Sequence, residues 1–389
     1  MSDDGLSENE RKLADGTLWG EFCDLLKYAG ATLQREGSPK DLASQAEGVR
    51  YLTRLTRAAL ETFVEHADPM APVLQRVVHE TAKMGADNPD NFYLNAAVDG
   101  RETYRIHGRR NTVQWLEFAT QRGSYGQSRG MPPTGRLDAV DMTLGPDGAF
   151  EVIMSAAEPA PRPDGTRPDW LPMTEETGTL IVRQSRLDHD REELAEIHIE
   201  RLGPDGEPMP ATPGALDPER LAAGLLQAGL LVPGASAIFA DWAEGFQDHV
   251  NELPRFDQEL SDRMGGVPEI TYHHSAWRLE PDECLVIAAV PPPCDHWNFQ
   301  LNNHWMESLD YRYHRIHTNS AIAATEPDGS IRIVVAHDDP GHPNWIRTVG
   351  HTFGTMCFRW VRAEVDDPPE PATRVMKLAD LRAELGHDG

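Results

Sequence analysis

Residues 294–305 read Cys-Asp-His-Trp-Asn-Phe-Gln-Leu-Asn-Asn-His-Trp, a run dense in imidazoles, carboxamides and indoles. Indoles make an apolar wall while amides and imidazoles offer directed hydrogen bonds, the lining of a small-molecule pocket. Ten of the sixteen histidines follow residue 272, and an imidazole that titrates near neutrality is the natural proton carrier. His296 and His317 are the candidates for proton transfer. Asn302, Asn303 and Asn319 would orient polar groups, and Trp305 and Trp345 would wall the pocket. Alternation along 311–319 puts Tyr311, Tyr313, Arg315, His317 and Asn319 on one strand face, which suits a cleft wall. Arg359 shares a strand face with Cys357 and Val361. It reads either as an internal salt-bridge anchor or as a clamp for a carboxylate, sulfate or phosphate.

The same residues have a plainer reading, in which His and Tyr finish hydrogen bonds at a sheet rim and the tryptophans are core. A divalent metal is the sharper alternative. His337, Asp338, Asp339 and His342 are ligand types in one loop, but no H-E-x-x-H occurs, and His314 and His317 would face opposite sides of a strand. No cofactor is expected. Gly126-Gln-Ser-Arg-Gly130 fits the hydrolase pattern G-x-S-x-G, yet Met131-Pro132-Pro133 blocks the helix that pattern needs, so it reads as a surface loop.

The elements that would carry these groups come in blocks. Apolar residues at helical spacing mark a helix over 9–35. Ser38-Pro39-Lys40-Asp41 then reads as the cap and first turn of a helix reaching about residue 65, with Leu42, Val49, Leu52, Leu55 and Phe63 inward. A short third helix is expected over 71–83. From residue 88 the pattern alternates. Strands are expected at 92–98, 103–108, 113–120, 138–144, 150–156, 177–184 and 195–201, with tight turns at Asp99-Gly100 and at 145–148. Residues 158–172 and 203–214 are proline-rich and read as surface loops. A helical block at 217–263 is divided by Pro233-Gly234. Strands return at 269–279, 284–290, 297–301, 311–324, 331–337 and 355–365, the Asp328-Gly329 turn making a hairpin, and the tail is a strand followed by a helix. The domains expected are 1–86, 87–215, 216–266 and 267–389. No internal repeat is visible.

Composition bounds the function. The 389 residues carry 36 Lys and Arg against 63 Asp and Glu, a net charge of −27. That field repels phosphate, so nucleic acid and anionic membrane are not expected partners. The apolar stretch at 221–243 is interrupted by Gln227, Pro233, Ser236 and Asp241, which argues against a membrane span. Four cysteines without C-x-x-C spacing read as reduced thiols, and the first ten residues lack a basic and apolar leader. A cytoplasmic setting follows by elimination.

Trp305-Met-Glu-Ser-Leu-Asp, His317-Thr-Asn319, Asp328-Gly-Ser330, Pro343-Asn-Trp345 and Gly354-Thr-Met-Cys-Phe-Arg359 occur in that order. With Asp87-Asn-Pro-Asp-Asn-Phe-Tyr93 and Tyr104-Arg-Ile-His-Gly108 upstream, the chain resembles the bacterial domain-of-unknown-function family numbered 1214 over roughly 87–378. The resemblance implies an antiparallel β-sandwich of the jelly-roll kind and no settled activity. The expected protein is therefore α+β: a mainly antiparallel, jelly-roll-like sandwich with a helical N-terminal segment and an inserted helical block. The leading expectation is an enzyme of hydrolase or lyase type acting on a small, partly apolar molecule, anionic if Arg359 lines the pocket. The alternatives are a non-catalytic sandwich binding a ligand or partner, and a metal-dependent hydrolase using the C-terminal histidines. Self-association would run through the N-terminal helices.

Overall fold

The computed structural model describes residues 5–123, 132–263 and 266–386; the motif at 126–130 lies outside the described residues. The fold is α+β with four mostly antiparallel sheets. Helix α1 (Glu8–Asp15) opens on a capping box at Ser7 and stops at Gly16, whose φ of 82° suits glycine. That left-handed residue splits the single helix expected over 9–35, and α2 (Thr17–Ala29) begins beyond it. Helix α3 (Leu42–Leu60) is capped by Asp41, which accepts from the Ser44 N–H at 2.9 Å. Ser38, the expected cap, instead donates to the Thr32 carbonyl. The buried stripe holds Tyr51, Leu55, Ala59 and Phe63, while Leu42 and Val49 are exposed. No helix forms over 71–83, because Gln75 pairs with Asn95 as an isolated bridge.

Helix α4 (Pro218–Gly245) runs straight through Pro233, against expectation. Burial of Ala228, Leu231 and Val232 before the kink site and of Ala240 and Ala243 after it outweighs the ~3 kcal/mol a proline costs inside a helix. With the turn that follows, residues 218–249 are long and apolar enough to cross a membrane by length and composition, with an 18-residue window of mean hydropathy 1.6. Two short helices complete the set, α5 (Gln258–Arg263) and α6 (Leu378–Glu384).

The chain divides into two compact units, and they are interleaved along the sequence. The first holds 1–31, 52–82 and 90–235; the second holds 32–51, 83–89 and 236–389. The first unit contains β1 (Asn91–Ala97), β2 (Thr103–Arg109), β3 (Trp115–Arg122), β4 (Pro133–Asp138), β5 (Ala149–Ser155), β6 (Asp169–Pro172), β7 (Thr177–Ser185) and β8 (Glu196–Leu202). Its sheets are ordered β1-β7-β3-β4 and β6-β5-β2-β8. The second contains β9 (Ile270–Arg278), β10 (Glu283–Ala289), β11 (His296–Asn302), β12 (His317–Asn319), β13 (Ile331–Ala336), β14 (Trp345–Arg347), β15 (Phe353–Val361) and β16 (Ala372–Lys377). Its sheets are ordered β9-β15-β11-β12 and β14-β13-β10-β16.

Counted from each unit's own first strand, both orders are 1-7-3-4 and 6-5-2-8. In both, the fifth and sixth strands are the parallel pair. The turn before the fifth strand is also shared. Gly148 N–H donates to the Gly145 carbonyl and Gly329 N–H to the Glu326 carbonyl, each at 2.9 Å, around a common Pro-Asp-Gly. The chain is thus an internal structural duplication, which overturns the expectation of no repeat. Few identities survive between the copies, because a sheet needs only the alternation of polarity kept.

Three further expectations fail. The turns at 99–100, 145–148 and 328–329 do not close hairpins between paired strands, because the strands around each lie in different sheets. Residues 158–172 are not all loop, since β6 forms there. Of the strand expected over 311–324 only β12 exists, because 311–314 turn about Asp310, which holds the Arg312 side chain. Tyr313 is accordingly 74% exposed and shares no strand face with His317.

Each unit has its own core. In the first, Leu94, Ala96, Phe118, Leu180 and Val182 meet Ile106, Phe150 and Val152. In the second, Trp297, Phe299, Leu301, Met356, Phe358 and Trp360 meet Leu285, Ile287 and Ile333.

Candidate functional site

With Trp297, Phe299 and Leu301 turned into the core, alternation leaves His296, Asn298, Gln300 and Asn302 on the other face of β11. On β15 the same alternation leaves Thr355, Cys357 and Arg359 there, and on β9 Tyr272 and His274. The ladder aligns them in rows. Tyr272, Arg359, Asn298 and Asn319 form one row, and His274, Cys357, Gln300 and His317 the next.

Arg359 is 5% exposed. It donates to Asn298 Oδ1 at 3.2 Å, to Gln300 Oε1 at 2.7 Å and to the Ala86 carbonyl at 2.7 Å. The segment 83–89 bonds to the same face. Asn298 Nδ2 reaches Asn88 Oδ1, and Gln300 Nε2 donates to the Asp87 carbonyl and to Asn302 Oδ1. Ala86 takes a φ of 57°, a left-handed conformation costly outside glycine, and its N–H donates to the Met306 carbonyl at 2.7 Å. Asp87 accepts from the Ser308 N–H at 2.9 Å and from its hydroxyl at 2.8 Å. Burial pushes the Asp87 carboxyl up to about 6, against the pull of the Lys83 ammonium. Lys83 itself donates to the carbonyls of Ser308 and Leu309.

His274 is boxed by aromatic rings. Phe246 stacks on it at 5.3 Å, Tyr272 at 5.6 Å, and Phe256 meets it edge-on at 5.1 Å. Burial, with the Arg359 charge, drives His274 down to about 3. Its Nε2 lies 3.7 Å from the Cys357 sulfur, and burial pushes that thiol up to about 11. A nucleophilic Cys–His pair requires the opposite shifts, a thiolate beside an imidazolium. Both groups are held in their neutral forms.

The expected site residues fall into separate places. His296 and His317 share a face, but His317 pairs with Gln300, four residues along β11 from His296. That is about 13 Å, too far to share a proton. Asn302 and Arg359 belong to the network above. Asn303 and Trp305 sit in the turn after β11, where Asn303 Oδ1 accepts from the N–H groups of Trp305 and Glu307. Trp305 is buried and donates to the Ser44 carbonyl at 2.8 Å. In the same turn His304 is pushed down to about 4 by burial. Asn319 Oδ1 caps the turn of Ala321 and Ile322. Trp345 lies in the other sheet, bonded to the Ala336 carbonyl and packed near Leu378 and Leu381. Other histidines finish backbone bonds: His273 to Leu253, His337 to Leu279, His351 to Thr348. Among the described residues no three His, Cys, Asp or Glu side chains converge on a point where a metal would sit.

Sequence reasoning passed over Asp87, His274, Asn298 and Gln300. The alternation of amides with Trp297, Phe299 and Leu301 was the signal for the last two. Nothing local marked the others.

The first unit repeats the leading row. Register places Tyr93, Arg183, Glu117 and Asp138 where the second unit has Tyr272, Arg359, Asn298 and Asn319. Arg183 donates to Glu117 Oε1 at 2.7 Å, and Arg136 holds the other oxygen. Two carboxylates in one copy are two carboxamides in the other, and the arginine and tyrosine are kept.

The profile of a family described as "Protein of unknown function (DUF1214)" matches residues 284–364, which span β10 to β15. An uncharacterised protein from Burkholderia cenocepacia is 46% identical, with 95% of this chain and 99% of that chain covered and a TM-score of 0.88. The VPA0106 protein from Vibrio parahaemolyticus is 12% identical over 91% of this chain and 100% of that one, with a TM-score of 0.50, a likeness of fold alone. No curated protein matches the chain.

Proposed function

This chain belongs to the DUF1214 family, and from that premise we propose that it binds a small molecule without transforming it. The carrying observation is the state of the polar face in the second unit. Arg359 is bound to three acceptors of its own chain, and the His274–Cys357 pair beside it is neutral and enclosed. A reactive centre keeps a group poised near working pH and within reach of substrate. His274 and Cys357 do neither, and with Arg359 they suit a rigid frame.

Alkylation tests the reading. Iodoacetamide should modify Cys23, which is exposed, and leave Cys357 untouched until denaturant unfolds the chain. A panel of small esters, amides and β-hydroxy acids should show no turnover that His274→Gln or Arg359→Lys abolishes. Modification of Cys357 in the native protein, or turnover lost in those variants, would restore a catalytic assignment.

One observation favours the hydrolase or lyase reading. Asp87, with a carboxyl pushed up to about 6, would be a proton donor near neutrality. Turnover that vanishes in Asp87→Asn while folding is kept would make that reading the better one, with Asp87 in the role first given to His296 or His317.

A further inference from the structure

The first unit contains a cavity of about 200 Å³ on the non-core face of its β1-β7-β3-β4 sheet. Strands β1 and β7 give it a floor at Asn95, Ala97 and Thr179, and Phe63, Val77 and Gln227 come from outside the sheet. The volume is somewhat above the ~150 Å³ apolar cavity that holds a benzene ring, so it suits roughly eight to ten heavy atoms.

None of the lining side chains carries a charge. Asn95 is 6% exposed, and its Nδ2 has no hydrogen-bond partner among the described residues. The two lining hydroxyls have already spent their protons, Thr62 on the Ala58 carbonyl and Thr179 on the Gly123 carbonyl. An unpaired buried amide hydrogen is a standing cost of about 1–3 kcal/mol that an incoming acceptor removes.

The duplication sharpens the point. Asn95 pairs with Ile181 as His274 pairs with Cys357, so the two residues hold equivalent positions. At His274 the second unit packs Phe246 and Phe256 against the ring. At Asn95 the first unit has open space. One copy of the fold fills this place from its own sequence and the other does not.

We propose that this cavity binds a small neutral molecule with one hydrogen-bond-accepting oxygen, a ketone or carboxamide on a short aryl or alkyl body, held by Asn95 Nδ2. A carboxylate would enter with its charge uncompensated by any lining residue, and the penalty of burying it excludes acids. This replaces the anionic molecule expected if Arg359 lined the pocket, and it rests on the binding reading given above.

Acetophenone, benzoate and toluene are the probes, followed by titration calorimetry and by ¹⁹F or ¹H NMR of the full chain. Acetophenone should bind saturably and benzoate should not. Asn95→Leu should weaken acetophenone about five- to tenfold, the value of one neutral hydrogen bond, and leave toluene as tight or tighter. Ala67→Phe, which fills the cavity from a loop residue, should abolish binding of both without loss of folding. Failure of acetophenone and toluene alike to bind would overturn the site. Benzoate binding as well as acetophenone, or acetophenone binding unchanged by Asn95→Leu, would overturn the ligand class. A bound probe recovered chemically altered would overturn the binding reading while leaving the site standing.

Discussion

Arg183 on β7 and Arg359 on β15 occupy the same point of two copies of one sheet, each between a tyrosine on one neighbouring strand and an oxygen acceptor on the other. Their partners differ in charge, and so will their energetics. Arg183 faces a carboxylate that is 1% exposed at the side chain, whereas on β11 Arg359 faces the carboxamides of Asn298 and Gln300.

Removing Arg359 orphans three acceptors at once. Arg359→Met should therefore cost at least about 3 kcal/mol, and Arg359→Lys less, since one ammonium can reach some of the same oxygens. Urea denaturation monitored by tryptophan fluorescence reads both. A cost under 1 kcal/mol for the methionine would mean the network is not a frame.

At the first copy the cost comes from stranding a charge. Arg183→Met should lose about 2–4 kcal/mol, and adding Glu117→Gln should recover part of it, because the carboxylate left with Arg136 alone is then neutral. Additive losses in the double variant would refute the coupling.

Glu47 and His351 make an ion pair at 3.1 Å. Burial alone would raise the Glu47 carboxyl, but the His351 hydrogen bond and charge leave it lowered. Burial alone would lower His351, but the Glu47 hydrogen bond and charge leave it raised. The carboxylate's share is present above about pH 4.3 and fades as pH falls through its lower folded value. The imidazolium's share is present below about pH 6.5 and fades as pH rises through its higher folded value. The pair is thus worth most near pH 5–6, and its partial exposure limits it to about 1 kcal/mol. His351→Gln should remove this contribution, seen as a flattened stability profile against pH.

Asp87 has the opposite sign. Its folded value near 6 lies above the usual carboxylate range, so the folded state holds the proton longer and stability declines as pH rises from about 4 to 6. Asp87→Asn should abolish that decline, worth on the order of 2–3 kcal/mol. Titration of the wild-type carboxyl by isotope-edited NMR gives the independent check.

Gly48 lies inside α3, where alanine ordinarily helps by up to about 1 kcal/mol. Here a β-carbon would stand 2.6 Å from both the Trp305 ring and Leu33. Gly48→Ala should lower the melting temperature, and Trp305→Leu should relieve the clash. A stabilised Gly48→Ala would show that the Trp305 and Leu33 side chains give way without cost.

The strands β11 and β15 were legible because amides and indoles alternate without interruption, and so were the helices that carry a clear stripe. The 311–316 stretch misled because its aromatic spacing mimics a strand, while Asp310 closes a turn that only three dimensions reveal. The polar network could not be read at all from local pattern: Asn298 meets Asn88 across 210 residues, and nothing in Asp87-Asn88-Pro89 announces a segment laid on a sheet. The duplication escaped for a related reason. What the copies share is strand order, a Pro-Asp-Gly turn and two row positions, all invisible to comparison of residue identities.

Interleaving gives the newborn chain a waiting time. Arg35 must find Glu244, 209 residues further on. The segment 32–51 leaves the ribosome well before 236–389, the bulk of the unit it belongs to. At 5–20 residues per second the delay is roughly ten to forty seconds, during which the first unit's strands are synthesised around an unfinished guest. The order of synthesis therefore favours completing the first unit before the second, and places the vulnerable interval in translation of the middle third.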